Sequence, residues 1–232
     1  MTARVKICGL SRPEHARVAA EAGADLIGLV FAESRRRVTP DAARVVIDAT
    51  KAFNPRIRAV GLFVDADAAT IARVYGESGI DLVQLHGMPT PDVIEAIGLP
   101  VLIAVRHRPG DDRERLFDYI DSVLGLPVVE MILLDAYHPT LAGGTGTLAD
   151  WSLAADLARR APLILAGGLN PENVGEAIES VRPAAVDVSS GVELDGAKDA
   201  DLIRRFLQRA HAAFAANGAY SISSGTSSHD AP

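Results

Sequence analysis

The chain has 232 residues, of which 48% are hydrophobic, so it is long enough to bury one large core or two small ones. Its formal net charge of −7 argues against nucleic acid as the main partner, because phosphate contacts need clustered Lys and Arg. The single cysteine excludes an internal disulfide, and the sequence shows neither a signal-peptide core nor an apolar run that would span a membrane. We therefore expect a soluble, cytoplasmic globular protein.

Short apolar segments recur along the chain and are predicted to be strands. They are apolar on both faces, which is typical of parallel strands that are covered by helices. In chain order the eight predicted strands are Arg4–Cys8, Leu26–Phe31, Ala59–Val64, Leu82–Leu85, Val101–Val105, Met131–Asp135, Leu163–Ala166 and Ala185–Val188.

Longer amphipathic segments follow these strands and are predicted to be helices. Several begin with a capping residue directly before a proline, as at Thr39-Pro40. In chain order the predicted helices are Pro13–Ala22, Pro40–Ala52, Ala68–Ser78, Pro91–Ile97, Asp112–Val123, Ala149–Arg160, Pro171–Val181 and Asp199–Ala215.

The strict alternation of strands and helices predicts a (β/α)8 TIM barrel that forms a single domain over residues 1–216. The alternative is a doubly wound open sheet, whose dinucleotide-binding form would carry G-x-G-x-x-G after the first strand. The segment Cys8-Gly-Leu-Ser-Arg does not provide that motif. Residues 217–232 are rich in Ser and Gly without an apolar period, and we predict that they are a disordered tail.

Two residues at predicted strand ends are candidate catalytic groups, because barrel enzymes place their chemistry there. Cys8 ends the first strand and Asp135 ends the sixth, so the two would face each other across the barrel mouth as base and acid. Lys6 lies on the same face of its strand as Cys8 and would favour the thiolate, or equally an anionic substrate. The alternatives are a buried structural cysteine and an aspartate that caps the next loop.

Glycines and serines follow the sixth, seventh and eighth strands. Backbone N–H groups in such loops bind phosphate in many barrels, since glycine lets the backbone approach the oxygens and serine hydroxyls donate to them. Glycine is also the ordinary turn residue, so it is the three neighbouring loops together that predict one phosphate site. The residues are Gly143, Gly144, Gly146, Gly167, Gly168, Ser189, Ser190 and Gly191.

The basic loop Ser34–Arg37 follows the second strand. It is either a solvated loop or a site where one arginine grips a carboxylate with its planar guanidinium. His86 has no His, Cys or Glu nearby at the spacing of metal ligands, which favours a structural role. We therefore predict neither a metal nor a cofactor.

Motifs along the chain occur in the order expected for phosphoribosylanthranilate isomerases, which make an intermediate of tryptophan biosynthesis. From Arg4 to Phe206 the chain resembles this family. The motifs are "KICGL", "GADLIGLVF", "SRRRVTP", "AVGLFV", "VQLHG", "LLDAY" with "GGTG", "AGGLNPENV" and "AVDVSSGVE".

The resemblance implies an Amadori rearrangement of a small phosphosugar. N-(5-phospho-β-D-ribosyl)anthranilate would become 1-(2-carboxyphenylamino)-1-deoxyribulose 5-phosphate, with Cys8 as general base and Asp135 as general acid. The resemblance further implies that Arg36 binds the anthranilate carboxylate and that the glycines and serines after strands seven and eight hold the phosphate. It leaves monomer and homodimer open.

The sequence leaves alternative functions open. A related isomerase could act on the aminoaldose of the histidine pathway, or accept both substrates, but those substrates carry two phosphates and their enzymes tend to use Asp where this chain has Cys8. A non-catalytic protein that binds phosphate ligands is the remaining alternative, and the presence of both Cys8 and Asp135 argues against it.

Overall fold

The computed structural model describes residues 4–107, 110–136 and 151–223. Within these ranges the chain closes eight parallel strands, in chain order, into one barrel, which confirms the predicted fold. The strands are β1 (Arg4–Cys8), β2 (Leu26–Val30), β3 (Arg58–Val64), β4 (Leu82–His86), β5 (Val101–His107), β6 (Val129–Ala136), β7 (Leu163–Ala166) and β8 (Ala185–Val188).

Helices surround the barrel in the described ranges. Thr39 caps α2 as predicted, because its side-chain oxygen accepts a hydrogen bond from the N–H of Ala42 at 3.2 Å. Every helix in these ranges is too short or too polar to span a lipid bilayer. The helices are α1 (Pro13–Glu21), α2 (Pro40–Phe53), α3 (Ala68–Ser78), α4 (Pro91–Ile97), α5 (Arg113–Leu124), α6 (Trp151–Ala158), α7 (Val174–Val181) and α8 (Ala200–Ser223).

The last helix continues beyond the predicted end of the domain. Helix α8 reaches Ser223, so the prediction of disorder is wrong for residues 217–223. The side-chain amide of Asn217 donates to the carbonyl of Ile178 at 3.2 Å, and this contact ties the helix to α7 beyond the predicted boundary. Residues 224–232 lie outside the described part of the chain.

Apolar side chains fill both sides of the strands. Alternate residues of each strand face the helices or the barrel interior, which explains why the predicted strands are apolar on both faces. The apolar cluster of the barrel interior ends below the carboxyl ends of the strands, where Lys6 and Cys8 point into the barrel. The polar carboxyl end of the barrel therefore lies on top of an apolar layer. The fully or nearly fully buried interior residues are Leu26, Val60, Leu82, Leu102, Ala104, Met131, Leu133, Ile164, Ala166 and Ala185.

A short hairpin after β8 was not predicted. It pairs β9 (Glu193–Leu194) with β10 (Ala197–Lys198), and the register places Lys198 opposite Glu193. Its turn residues have positive φ angles, 50° at Asp195 and 81° at Gly196, as the tight hairpin turn favoured by an Asp-Gly pair requires. This dipeptide is the sequence signal that would have revealed the hairpin.

Candidate active site

A cavity of about 510 Å³ opens at the carboxyl end of the barrel. Most of the predicted site residues within the described ranges line it, and Lys6 lies beneath its floor. Gly143, Gly144 and Gly146 lie outside the described residues, so their prediction is not addressed. The predicted residues that line the cavity are Cys8, Arg36, Asp135, Gly167, Gly168, Ser189, Ser190 and Gly191.

The floor of the cavity contains a buried ion pair. The ammonium of Lys6, which is 0% exposed, lies 3.0 Å from Oδ1 of Asp187 on the neighbouring strand β8. Burial acts to lower the pKa of Lys6, but the Asp187 charge and the adjacent Cys8 outweigh it and leave this pKa raised. Lys6 therefore stays charged, and the sequence analysis missed the carboxylate that allows this.

Cys8 lies above this pair and is 5% exposed. Burial raises the pKa of the Cys8 thiol, and the charge of Lys6 opposes this shift without cancelling it. Lys6 thus acts in the predicted direction, but desolvation is the larger effect. With its pKa raised, Cys8 is a neutral thiol at neutral pH, so an additional positive charge is needed before it can act as a base.

Gly28 on β2 leaves the space that Cys8 and Lys6 occupy. A Cβ atom at this position would lie 2.8 Å from Cys8 Sγ and 3.1 Å from Lys6 Nζ. Neither neighbour can move easily, since one is buried and the other is held by Asp187. The sequence did not predict Gly28 as a site residue, because nothing distinguishes it there from an ordinary strand residue.

Replacing Gly28 with alanine is expected to lower kcat by about 100-fold, because the new methyl group displaces Cys8 or the Lys6 ammonium by a fraction of an ångström or more. Steady-state kinetics of the purified variant would measure this. Gly76→Ala is the matched control, since a Cβ there meets open space on the exposed side of α3. Equal activity in both variants would contradict the steric argument.

Asp135 and Arg106 form a pair on the opposite side of the mouth. Arg106 donates from Nη2 at 2.8 Å and from Nε at 3.1 Å, both to Oδ2 of Asp135. The two residues are direct neighbours in the register of β5 and β6, and both line the cavity. The sequence analysis missed Arg106 because it placed the end of that strand at Val105.

His86 lies in the cavity wall near this pair. Burial lowers the pKa of its imidazole, and the Asp135 charge opposes that shift only in part. The ring is therefore neutral at neutral pH. The structure places His86 in the cavity wall within the influence of Asp135 and Arg106, whereas the sequence favoured a structural role.

Of the three consecutive arginines, Arg36 lines the cavity and Arg37 faces a separate cavity of about 430 Å³. Arg36 donates from Nε at 2.6 Å and from Nη2 at 2.8 Å to the two oxygens of Glu193. Arg35 and Lys198 also pair with this carboxylate. Burial acts to raise the pKa of Glu193, but hydrogen bonds from Arg36 and Lys198 reverse this and lower it to about 2.

The glycine and serine loops after β7 and β8 approach each other closely. A Cβ on Gly191 would lie 1.9 Å from the carbonyl oxygen of Leu169, so only glycine fits at this contact. Behind the loops, the ammonium of Lys198 donates to the carbonyl of Ser189 at 2.8 Å. Burial lowers the pKa of Lys198, while hydrogen bonding to Glu193 acts against this shift. The unpredicted hairpin thus brings a cation directly behind the predicted anion-binding loop.

The rest of the cavity wall is mainly apolar, with the polar side chains of Glu33, Ser34 and Gln84 among its residues. The arrangement combines a thiol and a carboxyl on facing walls, two regions suited to anions, and an apolar surface between strands. This combination fits a small ligand with two anionic groups and a flat apolar part. The apolar lining residues are Val30, Ala32, Leu62, Val64, Leu133, Ala166, Leu169 and Val188.

Comparison with known proteins gives a consistent result. The family described as N-(5′-phosphoribosyl)anthranilate (PRA) isomerase matches residues 5–209. The N-(5′-phosphoribosyl)anthranilate isomerase of Roseiflexus sp. (strain RS-1) is 45% identical over 213 residues, which cover 90% of this chain and 98% of the relative.

Two solved structures of this family are also similar to the chain. One is a monomeric form of the dimeric phosphoribosylanthranilate isomerase from Thermotoga maritima, with a TM-score of 0.74, 38% identity, and coverage of 90% of this chain and 99% of the other. The other is a phosphoribosyl anthranilate isomerase in complex with reduced 1-(o-carboxyphenylamino)-1-deoxyribulose 5-phosphate, with a TM-score of 0.75, 37% identity and the same coverage.

Proposed function

The chain belongs to the N-(5′-phosphoribosyl)anthranilate isomerase family and is an isomerase of tryptophan biosynthesis, and we propose that its reaction takes place in the cavity at the carboxyl end of the barrel. There N-(5-phospho-β-D-ribosyl)anthranilate becomes 1-(2-carboxyphenylamino)-1-deoxyribulose 5-phosphate. The observation that carries this assignment is that Cys8, Asp135, Arg36 and the glycine–serine loops all line this cavity.

Two neighbouring parts of the wall suit the two anionic ends of the substrate, since Arg36 and Lys198 bond the same carboxylate of Glu193. The phosphate binds at the loops after β7 and β8, where Lys198 adds a positive charge behind Ser189. The anthranilate carboxylate binds Arg36, whose Nε and Nη2 are held by Glu193 so that its remaining edge is oriented. The aromatic ring then lies against the apolar wall near Val30 and Leu62. Lys6, which is paired with Asp187, adds positive charge beneath the anionic substrate.

The chemistry begins with protonation of the ribose ring oxygen by Asp135. Both hydrogen bonds from Arg106 fall on Oδ2, which leaves Oδ1 to carry the proton that is transferred. Cleavage of the C1′–O4′ bond gives an iminium ion, and the electron pair of that bond goes to the protonated oxygen. The sugar is then open and carries a positive charge next to C2′.

Cys8 completes the rearrangement as general base. The iminium charge acidifies the C2′ proton and, together with Lys6, favours the thiolate that takes this proton. The resulting enolamine tautomerises to the ketone, so the aldose becomes a ketose without any net oxidation. Each proton transfer contributes about 10²–10⁴-fold to the rate.

The cavity supports this substrate better than the alternatives raised by the sequence. A substrate with two phosphates would need a second phosphate-binding loop, and the described lining residues that β2 and β3 themselves contribute, Val30, Leu62 and Val64, are apolar. A non-catalytic binding protein would have no use for a thiol and a carboxyl on facing walls. We further propose a cytoplasmic enzyme, monomeric or homodimeric, with neither nucleic acid nor membrane as partner, which the net charge of −7 supports.

A fluorescence assay tests the function. N-(5-phosphoribosyl)anthranilate is generated in place from anthranilate and ribose 5-phosphate, the purified protein is added with a chelator present, and loss of the substrate signal is followed. We expect rapid conversion that the chelator does not slow. Absence of turnover would contradict the assignment, and the two-phosphate aminoaldose of the histidine pathway would then be assayed under the same conditions.

A further inference from the structure

Glu193, at the start of the hairpin after β8, is a buried carboxylate that takes no part in the proton transfers above. Its side chain is 5% exposed and is surrounded by three cations. Oε1 accepts hydrogen bonds from Arg36 Nε at 2.6 Å and from the Lys198 ammonium at 3.0 Å. Oε2 accepts from Arg36 Nη2 at 2.8 Å and from Arg35 Nη2 at 2.6 Å. Charge-assisted hydrogen bonds from the protein therefore occupy both oxygens.

These hydrogen bonds connect the two parts of the wall that suit the anionic ends of the substrate. Arg36 belongs to the loop after β2 and lines the cavity, where it is assigned to the anthranilate carboxylate. Lys198 lies behind the loop after β8, where its ammonium also donates to the carbonyl of Ser189 at 2.8 Å. One carboxylate therefore fixes the cation of the first part and supports the backbone of the second.

Two glycines leave room for this arrangement. A Cβ atom on Gly9 would lie 2.5 Å from Cδ of Arg36 and 3.3 Å from Oγ of Ser189, so the arginine and the serine loop meet beside the end of β1. A Cβ atom on Gly196, in the hairpin turn, would lie 2.6 Å from Nη1 of Arg35. The hairpin therefore packs against the arginine loop through its turn as well as through its carboxylate.

Burial makes the charge of Lys198 depend on Glu193. The side chain of Lys198 is 4% exposed, and burial lowers the pKa of its ammonium, while hydrogen bonding to Glu193 acts against this shift. Loss of the carboxylate would lower this pKa further and favour the neutral amine. Arg36 would remain charged, but both acceptors that hold its guanidinium would be gone.

We propose that Glu193 is a positioning residue that organises both anion-binding parts of the cavity at once, an inference that rests on the proposed function. It acts through other residues, because donors of the protein already occupy its two oxygens. It orients Arg36 toward the carboxylate of the substrate, and it holds Lys198 against the loop that binds the phosphate. Each cation serves one end of the substrate, whereas Glu193 serves both.

Steady-state kinetics of Glu193→Gln test this role. The amide has the shape of the carboxylate but only one oxygen, so in either orientation its NH2 group faces a donor of Arg36. We expect KM to rise about 10- to 100-fold while kcat changes by less than about threefold, because binding is weakened and the reacting groups are untouched. Glu21→Gln is the matched control, since Glu21 pairs with Arg17 on the surface of α1.

Two small anions distinguish the two parts of the cavity. Benzoate carries a carboxylate on an aromatic ring, and inorganic phosphate carries the other charged group. Each is measured as a competitive inhibitor at constant ionic strength. Arg36→Gln should raise the inhibition constant of benzoate about tenfold and leave that of phosphate unchanged, and Lys198→Gln should do the reverse. Glu193→Gln should raise both inhibition constants, a pattern that neither cation variant produces alone.

Several results would overturn the proposal. Unchanged KM in Glu193→Gln would do so, and so would a loss of affinity confined to one of the two anions. Tighter binding of benzoate would show that the carboxylate of Glu193 competes with the ligand for Arg36. If thermal unfolding shows that Glu193→Gln is not folded, Glu193→Asp takes its place, because it keeps the charge but is too short to reach all its partners and should weaken both anions. A parent that converts no substrate would instead show that the proposed function itself is wrong.

Discussion

Replacing Cys8 with alanine is expected to lower kcat by about 10²–10⁴-fold, because the variant lacks the proposed general base for the C2′ proton. KM should change little, since Cys8 contacts neither anionic end of the substrate in the proposed arrangement. Steady-state fluorescence kinetics would measure both constants. Thermal unfolding of the variant serves as the control for folding, and a variant with parental kcat would exclude Cys8 as the base.

The raised pKa of Cys8 gives an independent check on its state. Alkylation requires the thiolate, and Cys8 is the one cysteine of the chain, so mass spectrometry after iodoacetamide treatment reports on this residue alone. Below the pKa the thiolate fraction, and with it the alkylation rate, rises about tenfold per pH unit. For a pKa above the ordinary thiol value of 9.0 the rise should continue beyond pH 9 without levelling. A plateau at or below pH 9 would contradict the finding that burial dominates.

Replacing Asp135 with asparagine should also lower kcat by about 10²–10⁴-fold, because an amide cannot protonate the ring oxygen. The substitution keeps the shape of the side chain and an acceptor for Arg106, so substrate affinity and folding should be retained. Single-turnover kinetics with excess enzyme would separate the chemical step from binding. Asp118→Asn, on the exposed side of α5, is the matched control. Equal effects of the two substitutions would show that loss of a negative charge, not of an acid, is responsible.

Local patterns were sufficient to predict the fold. The predicted bounds of β1, β7 and β8 coincide with those observed, because each is a short apolar run that ends at the barrel mouth. Strand β5 extends two residues beyond the predicted end at Val105. The backbone pairing with β6 continues past the apolar core into the polar mouth, where hydrophobicity no longer marks a strand. Arg106 lies in that extension and was missed for this reason.

Each predicted catalytic residue can be recognised from the end of one predicted strand. The residues that support the site pair with partners from distant parts of the sequence. Lys6 and Asp187 are 181 positions apart, and Arg36 and Glu193 are 157 apart. Such pairs exist only after the ring is closed, and no spacing rule for helices or strands reveals them.

The pairing of β1 with β8 closes the barrel, and it places the two ends of the folded chain at one seam. Lys6 and Asp187 are direct neighbours in that register, so the charge beneath the thiol is supplied by the first strand and balanced by the last. The protein must therefore fix contacts of nearly maximal sequence separation before its base has a defined environment, a topology that slows folding. Recovery of activity during refolding should therefore report on closure of the eight-stranded barrel. A chain that ends before Asp187 would leave the Lys6 ammonium without its counter-charge.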